Sequence, residues 1–287
     1  MIRSNILWRP SGLVALHGCL NLETLLISRT AHVIQSSSWS CCLNSDYKTI
    51  VVFDDETEIQ PDGMGGYLFG KYYSKTSIKE LCWLDASNCE SLTRLPAELL
   101  NLKFLRRLSF GGCSKLKELP EIKESMENLT VLNLDGTAIK ELPSSLHHLV
   151  GLEELSLRKC KKLKTIPSSI GNLSKLLKLD LTYCVSLETF PELEVTMENL
   201  QVLILDETAI KELLPSSLHH LVGLEELSLQ GCTKLKTIPS SIGNLSKLLK
   251  LNLSNCESLE TLPSSIFKLK LTKLQLVAEP RVDWERK

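Results

Sequence analysis

The sequence has almost no excess of charge of either sign: 33 Lys and Arg residues stand against 34 Asp and Glu residues, for a formal net charge of −1. A balanced chain offers little electrostatic attraction to nucleic acid or to an anionic membrane, so a protein partner is the better expectation. No apolar run approaches the roughly 18 residues that a membrane-spanning helix needs. The N-terminal segment lacks a signal-peptide pattern, because Pro10 and His17 interrupt it. We therefore expect a cytoplasmic chain, with the nucleus as the alternative.

The ten cysteines include no C-x-x-C pair of the kind that binds zinc. One cysteine per repeat indicates a structural position, with each thiol packed beneath its own turn and not paired in a disulfide. We expect no metal and no cofactor. The six periodic cysteines fall at regular intervals or near whole multiples of them: Cys89, Cys113, Cys160, Cys184, Cys232 and Cys256.

What the sequence does contain is a repeat of 23 or 24 residues, L-x-x-L-x-L-x-x-C/T-x-x-L-x-x-L-P, which recurs nine times from Leu81 onward. Leucines two residues apart point to one face of a short strand. After the proline, apolar residues return at spacings of three and four, which favours a short helical or 3₁₀ segment. One unit cannot bury its own leucines, so units must stack. The pattern predicts an α/β leucine-rich-repeat solenoid, a horseshoe with parallel strands on the concave face and helical segments on the convex face.

The domain boundaries predicted from this pattern are a divergent region at 1–77, a repeat domain at 78–280 and a polar tail at 281–287. An eroded repeat near 13–26 is indicated by leucines around Cys19, which precedes Cys89 by close to three periods. Residues 31–77 fit no period and are interpreted as an irregular insertion or a poorly ordered segment.

Two motifs suggest chemistry and are set aside. Gly65 to Lys71 has the spacing of a phosphate-binding loop, but Tyr72 replaces the magnesium-binding hydroxyl and no strand leads directly into the first glycine. The pairs His147-His148 and His219-His220 occupy the slot of a Gly-Asn pair in other repeats, which indicates solvated convex residues. No catalytic set can be proposed, so we do not expect an enzyme.

Residues 126–191 and 197–263 are nearly the same sequence, a block of three repeats that has been duplicated. Of eleven substitutions between the copies, eight fall on or beside the predicted strands. Either the concave face has diversified to bind a partner, or exposed positions have simply drifted. The eight pairs are Thr130/Gln201, Asn133/Ile204, Gly136/Glu207, Arg158/Gln230, Lys159/Gly231, Asp180/Asn252, Thr182/Ser254 and Tyr183/Asn255.

Charged neighbours on adjacent strands are expected to pair, Glu154 with Lys178 and Glu226 with Lys250. Apolar, aromatic and arginine side chains are better candidates for binding, with Tyr183 expected beside Val202 and Ile204. The predicted partner-binding residues on the concave face are Trp83, Arg106, Arg107, Asn133, Arg158, Asp180, Tyr183, Val202, Ile204, Gln230 and Asn252.

The segments Leu227 to Leu235 and Leu262 to Ile266 resemble the repeats of plant intracellular disease-resistance receptors of the Toll/interleukin-receptor-like, nucleotide-binding class. The resemblance covers about residues 78–277. It implies a non-catalytic module of innate immunity that binds a protein: a pathogen effector, a host protein that the receptor guards, or the nucleotide-binding domain of the same receptor class.

Two alternatives remain open from the sequence. An extracellular receptor-type domain that binds a ligand is favoured by four glycosylation sequons, at Asn128, Asn172, Asn244 and Asn252. A nucleotide-binding protein acting through Gly65 to Lys71 would require nucleotide binding that is lost in Lys71→Ala.

Overall fold

A computed structural model of the chain describes residues 83–276, apart from residues 91 and 96 and the side chains of Trp83 and Glu98. Outside that range it describes only the backbone of six short strands. Within it, one continuous hydrophobic core runs from Leu84 to Ile266 and consists mainly of leucines. The periodic leucines therefore build a single core that passes from repeat to repeat.

Sixteen strands, β1 to β16, are described, and their bounds are given at the end of this paragraph. Ten of them form one parallel sheet in the order β1, β6 to β13, β15. Three further pairs lie outside it: β2 with β4 and β14 with β16, both parallel, and β3 with β5, antiparallel. The strands are β1 Leu13–Ala15, β2 Thr24–Ile27, β3 His32–Ile34, β4 Thr49–Val52, β5 Tyr73–Ser77, β6 Trp83–Asp85, β7 Arg107–Ser109, β8 Val131–Asn133, β9 Glu154–Ser156, β10 Lys178–Asp180, β11 Val202–Ile204, β12 Glu226–Ser228, β13 Lys250–Asn252, β14 Thr261–Leu262, β15 Lys273–Gln275 and β16 Asp283–Trp284.

Each of the nine predicted units contributes one strand to the sheet, so the repeat pattern is confirmed. If the first leucine of a unit is slot 1, the strand covers slots 3 to 5 in every unit. In the unit that begins at Leu129, Leu132 and Leu134 are buried and Asn133 between them is half-buried. Alternate residues thus point into the core and away from it, as the spacing of the leucines predicts.

The strand β1 pairs directly with β6, with Leu13 opposite Trp83. Every later pair of neighbours in the sheet joins residues that are one repeat period apart in the sequence. The stretch of about three periods between Leu13 and Trp83 therefore separates two adjacent strands of this sheet. The extra residues lie between neighbouring strands.

The chain returns through a short helical turn, as predicted, after six of the strands, β6, β8, β9, β11, β12 and β13, whereas the described residues after β7 and β10 form no helix. Four of these turns begin after Pro143, Pro167, Pro239 or Pro263, whose φ angles lie between −64° and −71° and so suit the residue before a helix. A further turn is an α-helix, α1 Pro215–His219, which begins at its proline. The 3₁₀ helices are Ala97–Asn101, Ser144–His148, Ser168–Asn172, Ser240–Asn244 and Ser264–Lys268.

The six periodic cysteines are buried, and none of them forms a disulfide, as expected. Their thiols do not only pack beneath their own turns but also donate hydrogen bonds to the preceding repeat. The Sγ of Cys184 donates to the carbonyl of Leu157 at 3.1 Å, and the Sγ of Cys232 donates to that of Leu205 at the same distance, each acceptor lying in the preceding repeat. Thr137 takes the cysteine slot in one repeat and donates to the carbonyl of Leu134. This slot therefore joins successive repeats by hydrogen bonds.

The histidine pairs are only partly solvated, which corrects the prediction from the sequence. His148 is half-buried, and its Nδ1 lies 2.6 Å from the carbonyl of Ile122 in the preceding repeat. His220, at the same position in the second copy, contacts the hydroxyl of Thr196 through Nδ1 at 3.3 Å. Within the described part of the chain, no group of three or more potential ligand side chains could hold a metal ion.

Candidate functional site

The outward side of the sheet, formed by slots 2, 3, 5, 7 and 8, is called the sheet face. It carries all eleven predicted binding residues. Trp83, Arg107 and Val202 occupy slot 3; Asn133, Asp180, Ile204 and Asn252 slot 5; Arg106 slot 2; Arg158 and Gln230 slot 7; and Tyr183 slot 8. The register places Trp83 opposite Arg107, as expected, although the side chain of Trp83 lies outside the described residues.

Three of the predicted binding residues already have a structural role, which the sequence did not reveal. The side-chain oxygens of Asn133, Asp180 and Asn252 each accept a hydrogen bond from the amide two residues later, at 2.8 to 3.0 Å. Such Asx turns end the strand and fix the bend that follows it. A polar side chain at slot 5 is therefore explained in part by the backbone.

Slot 5 is serine in three units: an aspartate of the preceding repeat accepts from Ser156 and Ser228, whereas the hydroxyl of Ser109 bonds to that of Ser87 at 2.7 Å. Asp206 Oδ1 accepts the hydroxyl of Ser228 at 2.6 Å and the amide of Gln230 at 2.8 Å. Asp135 does the same in the first copy, for Ser156 and the amide of Arg158. The sequence did contain a signal for this contact, because the same slot holds an aspartate in both copies, Asp135 and Asp206.

The electrostatics at Asp206 reflect its position beneath this network. Burial raises the pKa of its carboxyl, and the hydrogen bonds from Ser228 and Gln230 act in the opposite direction. The nearby carboxylates of Asp180 and Glu207 also raise the pKa. Because its oxygens hold the next repeat, Asp206 is a structural acceptor and not a free acid on the surface.

The predicted cross-strand charge pairs are neighbours in the register, Glu154 opposite Lys178 and Glu226 opposite Lys250. Only the second forms an ion pair in the structure, with Nζ of Lys250 at 2.9 Å from Oε2 of Glu226. That contact raises the pKa of Lys250. No ion pair joins Glu154 to Lys178, both of which lie in the described range.

The expected position of Tyr183 is wrong. Val202 and Ile204 lie opposite Lys178 and Asp180, so Tyr183 is further along, in the turn after the strand. Its amide donates to the carbonyl of Asp206 at 2.8 Å, and its φ of 62° is in the left-handed region. The same positive φ occurs at slot 8 of eight successive units: Asn88, Gly112, Gly136, Lys159, Tyr183, Glu207, Gly231 and Asn255.

The candidates that remain available to a partner are fewer than predicted. Tyr183 is 45% exposed, and Val202 and Ile204 are half-buried on the sheet face, where Val131 is a further apolar residue. Arg106 is exposed, and the guanidinium of Arg158 reaches Asp180 only at 3.9 Å. Gln230 accepts a hydrogen bond from Asn252 at 3.2 Å. Accessible aromatic, apolar and arginine side chains on one face suit contact with another protein.

The phosphate-loop motif, Gly65 to Lys71, lies outside the described residues. So does Cys19, the cysteine of the predicted eroded repeat. Across the described part of the chain, no helix is both long and apolar enough to span a lipid bilayer.

Comparisons with known proteins identify the repeats. Residues 172–261 match the family model described as disease resistance protein RPS4B-like, leucine-rich repeats, and residues 151–173 match a general leucine-rich-repeat model. Among solved structures, the leucine-rich repeat domain of the type III effector XopL has a TM-score of 0.47 and 29% identity, over 68% of this chain and 60% of that one.

Two relatives of known sequence are also named as resistance proteins. Disease resistance protein RPS4B of Arabidopsis thaliana is 36% identical over 45% of this chain and 10% of its own length. TMV resistance protein N of Nicotiana glutinosa is 38% identical over 31% of this chain and 7% of its own length. The match spans a tenth or less of either relative. The repeats of this chain are therefore leucine-rich repeats that are similar to those of plant disease resistance proteins.

Proposed function

We propose that this chain is the non-catalytic recognition module of a plant disease-resistance receptor and that its sheet face binds a protein. The names of the relatives support a role in resistance, and the repeats support a role in recognition. The partner is a pathogen effector, a host protein that the receptor guards, or the nucleotide-binding domain of the same receptor class.

The observation that carries this proposal is the apolar pair Val202 and Ile204 on the sheet face. In the first copy of the duplicated block, the position of Ile204 is held by Asn133, which caps its turn. Ile204 cannot form this hydrogen bond, so the second copy has replaced a structural side chain by one that exposes apolar surface. Apolar and aromatic residues at the centre of an interface commonly carry most of its binding energy.

The proposal is tested by site-specific photocrosslinking in plant cells. A photoreactive residue at Ile204 should capture a defined protein, identified by mass spectrometry. The same residue at Asn172, which is exposed at the end of a 3₁₀ helix, should not capture it. Equal capture at both positions would contradict the sheet face as the binding surface.

A second variant separates binding from folding. Ile204→Asn together with Tyr183→Asn introduces residues that the other copy already carries at these slots, Asn133 and Asn255. We expect the pair to reduce capture from a reporter residue placed at Val202, while the melting temperature changes little. A normal melting temperature with normal capture would count against these two side chains as binding residues.

The cytoplasm is part of the same proposal. The six buried periodic cysteines form no disulfide, as is usual in a reducing compartment. The side-chain amide of Asn252, the glycan acceptor of a sequon, donates a hydrogen bond to Gln230. A glycan on that nitrogen would remove the bond. A shift in mobility of the native protein after endoglycosidase treatment would favour the extracellular alternative.

A further inference from the structure

Six lysines from three adjacent repeats lie together on the flank that follows the turns, outside the sheet face. They are Lys115, Lys117, Lys140, Lys161, Lys162 and Lys164, and we call them the basic flank. All six are exposed. None of them forms an ion pair with a described residue.

The lysines of successive repeats are close because the backbone holds them side by side. The amide of Lys164 donates to the carbonyl of Lys140 at 2.9 Å, and the amide of Ala138 donates to the carbonyl of Leu116 at 2.8 Å. Chains joined in this way lie about 4.8 Å apart. Like charges at that distance repel each other, so the cluster does not stabilise the fold.

The second copy of the duplicated block shows that stacking does not require this arrangement. There, Nζ of Lys211 lies 2.7 Å from Oε2 of Glu188, and the amide of Glu260 donates to the carbonyl of Lys236. Thr233 replaces Lys161. Glu188, near the end of the first copy, thus pairs with Lys211, whereas the equivalent residue before Lys140 is Lys117, and Lys140 forms no ion pair with a described residue.

We propose that the basic flank is a second docking surface, which binds an acidic segment of a partner protein. Two exposed carboxylates, Glu118 and Glu141, directly follow Lys117 and Lys140 and border the cluster. A bilayer or a nucleic-acid backbone presents negative charge over a wide area and would meet these carboxylates. A short acidic peptide can contact the lysines without doing so, and the net charge of −1 gives the whole chain no general attraction for polyanions.

The duplication supplies a matched pair of variants for the test. Lys140, Lys162 and Lys164 correspond to Lys211, Lys234 and Lys236, so Lys140→Gln/Lys162→Gln/Lys164→Gln and Lys211→Gln/Lys234→Gln/Lys236→Gln remove the same charge from the same scaffold. The probe is a fluorescent octaglutamate peptide, and the measurement is fluorescence anisotropy with the full chain.

We expect the first triple variant to raise the Kd of the peptide about tenfold, the factor given by three exposed ion pairs of ordinary strength. The second should change it less than about twofold, because one of its lysines is already paired with Glu188. Added salt should weaken binding by the unmodified chain. Circular dichroism melting curves confirm that both variants fold.

Three outcomes overturn the proposal. The peptide does not bind the unmodified chain, the two triple variants weaken binding equally, or phosphatidylserine vesicles or a single-stranded oligonucleotide of equal charge bind more tightly than the peptide. The flank is separate from the sheet face, so loss of capture at Ile204 and loss of peptide binding are independent results.

Discussion

The carboxylate of Glu207 lies over the α-carbon of Gly231 in the next repeat. A β-carbon on Gly231 would come within 2.5 Å of Cδ of Glu207, so a side chain here would displace the Glu207 carboxylate and also adopt a φ of +67°. In the first copy, Gly136 corresponds to Glu207 and Lys159 corresponds to Gly231. The glycine of the pair therefore lies in the earlier repeat there and in the later repeat here. Two of the eight substitutions on the sheet face are therefore coupled by packing.

The first prediction concerns Gly231→Ala. We expect a loss of about 1–2 kcal/mol in the free energy of unfolding, because the left-handed φ is unfavourable for alanine and the methyl group must displace the flexible side chain of Glu207. Gly136→Ala is the control, since its φ is +66° but the nearest atoms to a β-carbon are 3.7 Å away. It should lose only about 1 kcal/mol. Urea unfolding measures both, and equal losses would exclude the contact with Glu207 as the cause.

The same coupling predicts that Glu207→Gly rescues Gly231→Lys. The double variant recreates the pair Gly136 and Lys159 of the first copy, so it should recover most of the stability that Gly231→Lys alone loses. A double-mutant cycle measures the interaction energy, and additive losses would show that the two slots are independent.

The second prediction concerns Gly151, where a repeat passes very close to its predecessor. A β-carbon there would lie within 2.5 Å of the carbonyl carbon of Glu127, and backbone cannot move aside as a flexible side chain can. We expect Gly151→Ala to cost about 1–3 kcal/mol. In Gly171→Ala the added methyl would meet its nearest atom at 3.4 Å, so the change should stay within about 0.5 kcal/mol. Thermal melting distinguishes them.

The third prediction is a loss of stability in alkaline solution. Burial raises the pKa of Cys160 and of Cys232 to about 11, from 9.0 for an ordinary thiol. A raised folded pKa favours the neutral thiol, so this stability is complete below about pH 9 and falls as the pH approaches 11. At about pH 10.5 the loss should be roughly 2 kcal/mol per thiol relative to about pH 8.

The control for this pH dependence is Cys160→Thr/Cys232→Thr, because threonine already occupies the slot in two repeats, at Thr137 and Thr208. Urea unfolding at both pH values should show a smaller alkaline loss in this variant. An unchanged loss would assign the alkaline sensitivity to other groups.

The fourth prediction uses serines at equivalent positions of two helical turns. The hydroxyl of Ser217 donates to the carbonyl of Pro191 at 2.7 Å, whereas the buried hydroxyl of Ser169 has no hydrogen-bond partner. Ser217→Ala should therefore lose about 1 kcal/mol, and Ser169→Ala should be neutral or slightly stabilising. If Ser169→Ala were the more damaging change, an unseen partner of Ser169 would be indicated.

The sequence predicted the strands well because their spacing follows from burial alone. Apolar residues at slots 4 and 6 are buried in the eight units that begin at Leu81 to Leu248, and this requirement fixes the register of their strands. It also correctly placed Glu226 opposite Lys250. Local periodicity contains this information, so no knowledge of the rest of the fold was needed.

The sheet face was predicted less well because its details depend on contacts between repeats. Nothing in the pattern around Tyr183 shows that slot 8 is left-handed, since residues as different as Lys159 and Glu207 occupy it.

The strand-ending hydrogen bonds at slot 5 limit how such a surface can evolve. In six units this slot holds an Asp or Asn that accepts the amide two residues later, or a Ser that donates to an aspartate of the preceding repeat. Ile204 is an exception, because a capping side chain, Asn133, stands at its position in the other copy. On the proposed binding surface, a change of this kind would alter partner contacts and remove a strand-ending hydrogen bond in the same step.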